Sequence, residues 1–428
     1  MVLNYIWIGF FIAALIVAIV RTALYFLQQG LDISLWTTFT VADRDVFPEM
    51  VKSTFSTAEF SVEISIYLIG IMTLWLGIMR IGEKGGAVNM LSWLFAPFFR
   101  KIFPEVPDKH PAMGSMMMNF CANMLGLDNA ATPLGLKAME DLQEINPKKE
   151  TASNAQIMFL VLNTSGLTLI PISILGYRAA ANAQSPVEVF LPLLLTTFFS
   201  TIAGLIAVSV VQRINLFNRI VLVYLAGLSL LIGGVFAFLS SLPQQQMQTA
   251  TVFAGNFILF GFIIFFLFAG IRKKINLYET FIEGAKDGFQ VAIKIIPYLV
   301  AMLFGIGIFR ASGAMDFMID GIAWFFSWIG VDTRFVDGLP TALMKPLSGS
   351  GARGMMLDVF NNPNFGPDSF AGRLVSVLQG STETTFYTIA VYYGAVGISR
   401  TRYTVTCGLI ADLTAIVAAI LLTYFFFG

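Results

Sequence analysis

The sequence predicts an all-α polytopic membrane protein built from two inverted repeats that contain re-entrant hairpins and broken helices. Three observations carry that expectation. The 428 residues are 57% hydrophobic and 12% charged, with a mean hydropathy of +0.77, whereas an ordinary soluble domain is about 25% charged. Uninterrupted apolar stretches alternate with apolar stretches broken by Gly, Asn, Ser, Thr and Pro. The order of these features in the first half recurs in the second. So little charge does not solvate a globule of this size, which excludes a cytosolic enzyme, a secreted domain and a disordered chain.

A hydrocarbon core of about 30 Å takes roughly 20 apolar residues of helix. Segments 5–27, 62–81, 187–211, 220–239, 252–271, 291–309 and 405–427 meet that length. The first lacks a basic leader and a small-residue cleavage site, so it reads as a retained helix. Four further apolar segments, 113–127, 158–175, 339–356 and 374–398, are interrupted. Non-helical backbone is tolerated at membrane depth only where protein or a water-filled cavity satisfies it. Basic residues set the orientation: Arg213, Arg219 and Arg272–Lys274 mark inner loops, whereas 240–250 is uncharged and 32–59 is mainly acidic (Asp32, Asp43, Asp45, Glu49 and Glu59 against Arg44 and Lys52). The expected topology is multi-pass, with the N-terminus cytoplasmic. Residues 278–290, after Lys273–Lys274, read as an amphipathic helix on the inner leaflet.

The repeat begins at two similar helices, one ending near Arg80 and the other near Arg310, each followed by a glycine turn and a segment bearing Trp93 or Trp324. A first break follows, at 123–133 and at 345–354, then a polar connector and a second break, Asn163–Gly166 against Gln379–Thr382. Each half closes on a long apolar helix. The first connector carries Lys137, Lys148 and Lys149, and the second, 358–369, carries no Lys or Arg, so the halves should have opposite topology, as in secondary transporters. The expected division is 1–60 (first helix and external segment), 61–211 (first repeat), 212–285 (linking helix pair and amphipathic helix) and 286–428 (second repeat).

Half-helix ends at the midplane expose unpaired N–H and C=O groups that bind polar or charged solutes. The first half offers Asn119, Asn123, Asp128, Asn129, Thr132, Asn163, Thr164 and Ser165; the second offers Ser348, Ser350, Arg353, Gln379, Ser381, Thr382, Glu383 and Thr384. Amides and hydroxyls both donate and accept, which suits a polyol, sugar-like or heterocyclic solute. Ionisable groups in membrane segments face a cavity or a partner. Asp128 or Glu383 suits a coupling cation or proton. Arg353 suits an anionic group, or pairs with an acid and locks the hairpins. Asp128 equally suits a cap on a helix starting near Thr132–Pro133. Asn119 and Asn123 share a helix face, lining the pocket or bonding a neighbouring helix. Ser and Thr within apolar helices commonly bond back to their own turn.

The remaining features are structural. His110 sits in a polar turn, and the tryptophans (Trp7, Trp36, Trp75, Trp93, Trp324, Trp328) suit interface anchors. One histidine and two cysteines, Cys121 and Cys407, leave no triad, disulfide framework or metal spacing, so neither enzyme nor metal or cofactor is expected. No phosphate loop with its lysine is present. The 26 basic and 26 acidic residues cancel, so nucleic acid is no partner.

At the breaks, residues 123–139 with Asn163–Ser165 resemble spore maturation protein A, and residues 346–355, 366–369 and 379–387 resemble spore maturation protein B. The chain looks like a fusion of the two, over nearly everything after the first forty or so residues. The resemblance implies a protein of the bacterial inner (plasma) membrane with nucleoside-recognition, or gate, domains, similar to parts of concentrative nucleoside transporters and of ferrous-iron transporter B, without the latter's G-protein domain. The function expected is secondary transport or facilitated passage of a small polar solute, nucleoside-like or anionic, through a midplane pocket between two inverted gate domains. The alternative is a non-transporting membrane sensor or scaffold in spore or envelope maturation. The partners expected are the lipid bilayer, the solute, a coupling ion of unassigned identity and, as an open option, a second copy of the chain.

Overall fold

The computed structural model describes residues 2–31, 39–107 and 109–428; Asp32 and Trp36 lie outside the described residues. The described residues are overwhelmingly helical. The helices are α1 (Val2–Leu31), α2 (Val41–Arg44), α3 (Val46–Gly85), α4 (Ala87–Ile102), α5 (Pro111–Met124), α6 (Asp128–Glu144), α7 (Asn154–Ser165), α8 (Ile172–Ala180), α9 (Phe190–Gln212), α10 (Arg219–Ser240), α11 (Gln244–Arg272), α12 (Leu277–Ala311), α13 (Ala314–Trp328), α14 (Leu339–Met344), α15 (Gly349–Asn361), α16 (Phe370–Gly380), α17 (Thr385–Ala395) and α18 (Thr404–Phe427). Among the described residues seven stretches, corresponding to α1, α3, α9 with the turn before it, α10, α11, α12 and α18, are long and apolar enough to cross a membrane, and they coincide with the segments expected from hydropathy. All four interrupted segments are broken helices, as their composition predicted.

Two helices outrun their apolar cores. α3 is 40 residues long and α12 is 35. The stretch 278–290 is therefore not a separate surface helix but the first part of α12, and it crosses the boundary drawn at 285. Its glycines explain why. A Cβ on Gly284 or Gly288 would lie 2.3 Å from Leu76 O or 2.4 Å from Met72 O, so α12 meets the backbone of α3 directly. Small residues permit such close approach. Gly77 faces Phe281 and Gly307 faces Thr57 along the same seam, so the two helices run antiparallel over most of their length. Arg80 and Lys84 hold Glu283 at one end of it.

α9 and α18 are antiparallel too: Ser200 Oγ donates to Ala411 O, and Gln212 at the end of α9 and Tyr403 at the start of α18 both bond Asn154. At this end of the molecule Ser399 N and Arg400 N donate to Glu150 O, which joins the connector 145–153 to 396–402. It also carries Arg213, Arg219 and Arg272–Lys274; we call it the basic end. At the opposite end the turn 181–189 meets the connector 362–369. There Arg178, fully buried, donates to Glu188 (2.5 Å), Asp368 (3.0 Å) and Pro367 O (2.6 Å), while Arg373 meets Glu188 at 2.8 Å.

α3 and α12 each stop at a left-handed glycine, Gly86 (φ 90°) and Gly313 (φ 83°), a conformation that disfavours residues with a Cβ. The chain then turns into α4 or α13, which present Trp93, Trp324 and Trp328 outward, each more than 70% exposed, as interfacial tryptophans do. Next comes the first hairpin of each half. α5–α6 has both its ends at the basic end, and α14–α15 has both at the opposite end. α1 is docked by Arg21, which donates to Asp43 (2.7 Å) and to Ser312 O (2.9 Å). Burial pushes the Asp43 carboxyl up, but the Thr40 amide and Arg21 outweigh it and hold it below the usual carboxylate range.

Candidate functional site

The four breaks meet. They are the turn 125–127 between α5 and α6, the stretch 166–171 between α7 and α8, 345–348 between α14 and α15, and 381–384 between α16 and α17. Within the first half Leu169 N donates to Met124 O at 2.7 Å, and within the second Phe386 N donates to Pro346 O at 3.0 Å. Glu383 N donates to Thr164 O at 2.9 Å and joins the halves. Unwound backbone groups in an apolar setting need such partners, and each break supplies another's. Gly166 ends α7 with φ 60°; a Cβ there would approach Glu383 N to 3.2 Å.

Two cavities flank this junction and share Asn123 and Glu383. One, about 230 Å³, is lined by Thr132 and Asn163 with Tyr387, Thr388 and Tyr392, and the helices that wall it, α6 and α17, lead to the basic end. The other, about 140 Å³, is lined by Thr168, Ser173, Lys345, Arg353, Gln379 and Thr382, and its walls, α8, α15 and α16, lead to the opposite end. Asn123 Nδ2 donates to Asn163 Oδ1 at 2.8 Å between them.

The structure thus gathers Asn123, Thr132, Asn163, Arg353, Gln379, Thr382 and Glu383 around the two cavities. It places the others differently. Asn119 is fully buried and its Nδ2 donates to Ala131 O at 2.7 Å, lashing α5 to α6. Thr164, Ser165 and Ser381 hydroxyls bond back to Val161 O, Leu162 O and Leu378 O. Ser348 caps α15 by accepting from Gly351 N, with Ser350 Oγ 3.2 Å away. Thr384 precedes α17 and packs against Gly349. α6 starts at Asp128 with Leu127 at its cap position, so Asp128 is not the cap of a helix starting near Thr132; the side chains of Asp128 and Asn129 lie outside those described. Arg353 pairs with no acid among the described residues; its guanidinium lies over the Tyr177 ring, 5.3 Å away. His110 caps α5, Nδ1 accepting from Ala112 N.

Three groups at the junction escaped the sequence reading. Lys345 is buried beside the smaller cavity, and Tyr392 walls the larger. Asp412, buried in α18, accepts from Thr385 Oγ1 at 2.7 Å. The signal for Asp412 was present: it is the acid in an otherwise uncharged span, where such a residue is costly and has a role.

The nucleoside-recognition Gate family matches residues 65–181 and 292–399. Spore maturation protein B of Bacillus subtilis (strain 168) is 48% identical over 162 residues, 38% of this chain and 88% of that protein. Spore maturation protein A of the same organism is 40% identical over 155 residues, 36% of this chain and 79% of that protein. Each matches part of the chain, consistent with a fusion of the two. No solved structure matches it significantly.

Proposed function

The chain belongs to the nucleoside-recognition Gate family, and from that premise we propose that it is a transporter or facilitator of a small polar solute. One observation carries the reading: two polar cavities lie on either side of a thin junction and share Asn123 and Glu383. A solute held on one side needs only the Thr164 O to Glu383 N contact and its neighbours to part in order to reach the other. Such a barrier at a fixed site is what alternating access requires.

Inverted repeats are part of the proposal. The antiparallel pairs α3–α12 and α9–α18, and the two hairpins that enter from opposite ends, support it. A midplane position for the junction is supported by Gly204, in the central part of α9, which lies against Val161 and Ser165 at the end of α7. The positive-inside rule puts the basic end in the cytoplasm, with the N-terminus on that side, in a bacterial inner membrane.

The test is flux. Purified protein in liposomes should take up radiolabelled solutes from a panel of nucleosides, amino acids and organic acids with saturable kinetics, and Asn163→Ala should abolish uptake while the protein stays folded. Binding without flux across the panel would favour a sensor or scaffold instead.

A further inference from the structure

The smaller cavity has a chemical signature that the family match does not specify. At about 140 Å³ it has the volume of about five liquid waters, each near 30 Å³, and lies well below the roughly 300 Å³ at which drug-sized sites begin. Its walls carry two cations, Lys345 and Arg353, and one carboxyl, Glu383. Lys345 belongs to the break 345–348, Arg353 to α15 and Glu383 to the break 381–384.

Among the described residues, two polar atoms in this wall have no partner. Gln379 is 5% exposed; its Nε2 donates to Gly349 O, and its Oε1 meets no donor. The Arg353 guanidinium lies over the Tyr177 ring, and its Nε meets no acceptor. Buried polar atoms left unmet are unfavourable, and here one is an acceptor and the other a donor. A solute that satisfies both carries an acceptor oxygen and an N–H donor, and the guanidinium charge of Arg353 favours an anionic acceptor. Resting on the transport reading above, we infer that the cargo bound in this cavity is a small zwitterion of the amino-acid type. Its carboxylate faces Arg353, and its ammonium group faces Gln379 Oε1 and the Glu383 carboxyl. Most of a nucleoside is uncharged ring and ribose, which leaves this pair of charges unused.

The experiment uses the full chain purified in detergent, with L-alanine, propionate, ethylamine and uridine as probes read by thermal shift and equilibrium binding. L-Alanine should bind at least tenfold more tightly than propionate, ethylamine or uridine, a comparison that needs no variant. Arg353→Gln should weaken L-alanine binding at least tenfold, and Arg353→Lys should retain most of it. Tighter binding of uridine than of L-alanine overturns the inference, as does L-alanine binding unchanged in Arg353→Gln. Flux in liposomes separates the two ideas. Uridine carried with L-alanine ignored refutes the zwitterion and leaves transport standing; L-alanine bound tightly but never carried refutes transport and leaves the site standing.

Discussion

Arg178→Met removes the centre of the ion network that ties the two halves together at the opposite end. Breaking one partner out of a buried charge pair costs about 3–5 kcal/mol, because the other charge is left uncompensated. Here the loss is smaller. Glu188 keeps Arg373, at 2.8 and 3.1 Å, and the Asp368 side chain is 28% exposed, so neither acid is stranded. Pro367 O and Ser376 lose a donor as well. The net cost should be about 2–4 kcal/mol. Reversible denaturation in mixed micelles measures it, and a double-mutant cycle with Asp368→Asn isolates the pair, which should couple by about 1–3 kcal/mol. A variant as stable as the parent, or a coupling energy of zero, would refute the idea that this network fastens one half to the other.

Gly288→Ala should destabilise by about 1–3 kcal/mol through overpacking, since its Cβ would lie 2.4 Å from Met72 O; Gly233→Ala, with open space around it, should be neutral or slightly stabilising in the same measurement. Gly166→Ala forces a Cβ into left-handed backbone at about 1–2 kcal/mol and crowds Glu383 N, so solute flux should fall more than thermal stability does. Asp43 has a lowered carboxyl pKa in the folded state; its contribution is therefore present above its unfolded value of about 3.9 and is lost as pH falls through the lower folded value. Thermal unfolding of Asp43→Asn should accordingly differ from the parent at pH 7, by about 1–2 kcal/mol for a charge-assisted hydrogen bond, and converge with it in strong acid.

Spans and breaks were legible in the sequence because they follow from local composition: an apolar run of sufficient length crosses, and Gly, Asn, Ser and Pro interrupt it. What depended on partners was hidden. The 278–290 stretch looks amphipathic because one side meets α3 through Gly284 and Gly288, and nothing local distinguishes that from a face lying on lipid. Arg178 in α8 and Glu188 at the start of the 187–211 span carry no local mark of a role; their burial comes with Asp368 and Arg373, some 190 positions away along the chain. Among the junction residues, composition marks the hydroxyls and amides at the breaks but not which of them turn back on their own helix. Ser165 and Ser381 do so, whereas Asn123 and Asn163 reach each other across two helices.

The most direct measurement of the opposed architecture is the sidedness of the two connectors. Cys121 and Cys407 are buried, so single cysteines at Lys148→Cys and Asn364→Cys report cleanly to a membrane-impermeant maleimide applied to intact spheroplasts. Asn364→Cys should label at once and Lys148→Cys only after permeabilisation. Labelling of both from the same side would show that the hairpins do not enter from opposite faces, and the shared junction between them would lose its meaning as a gate.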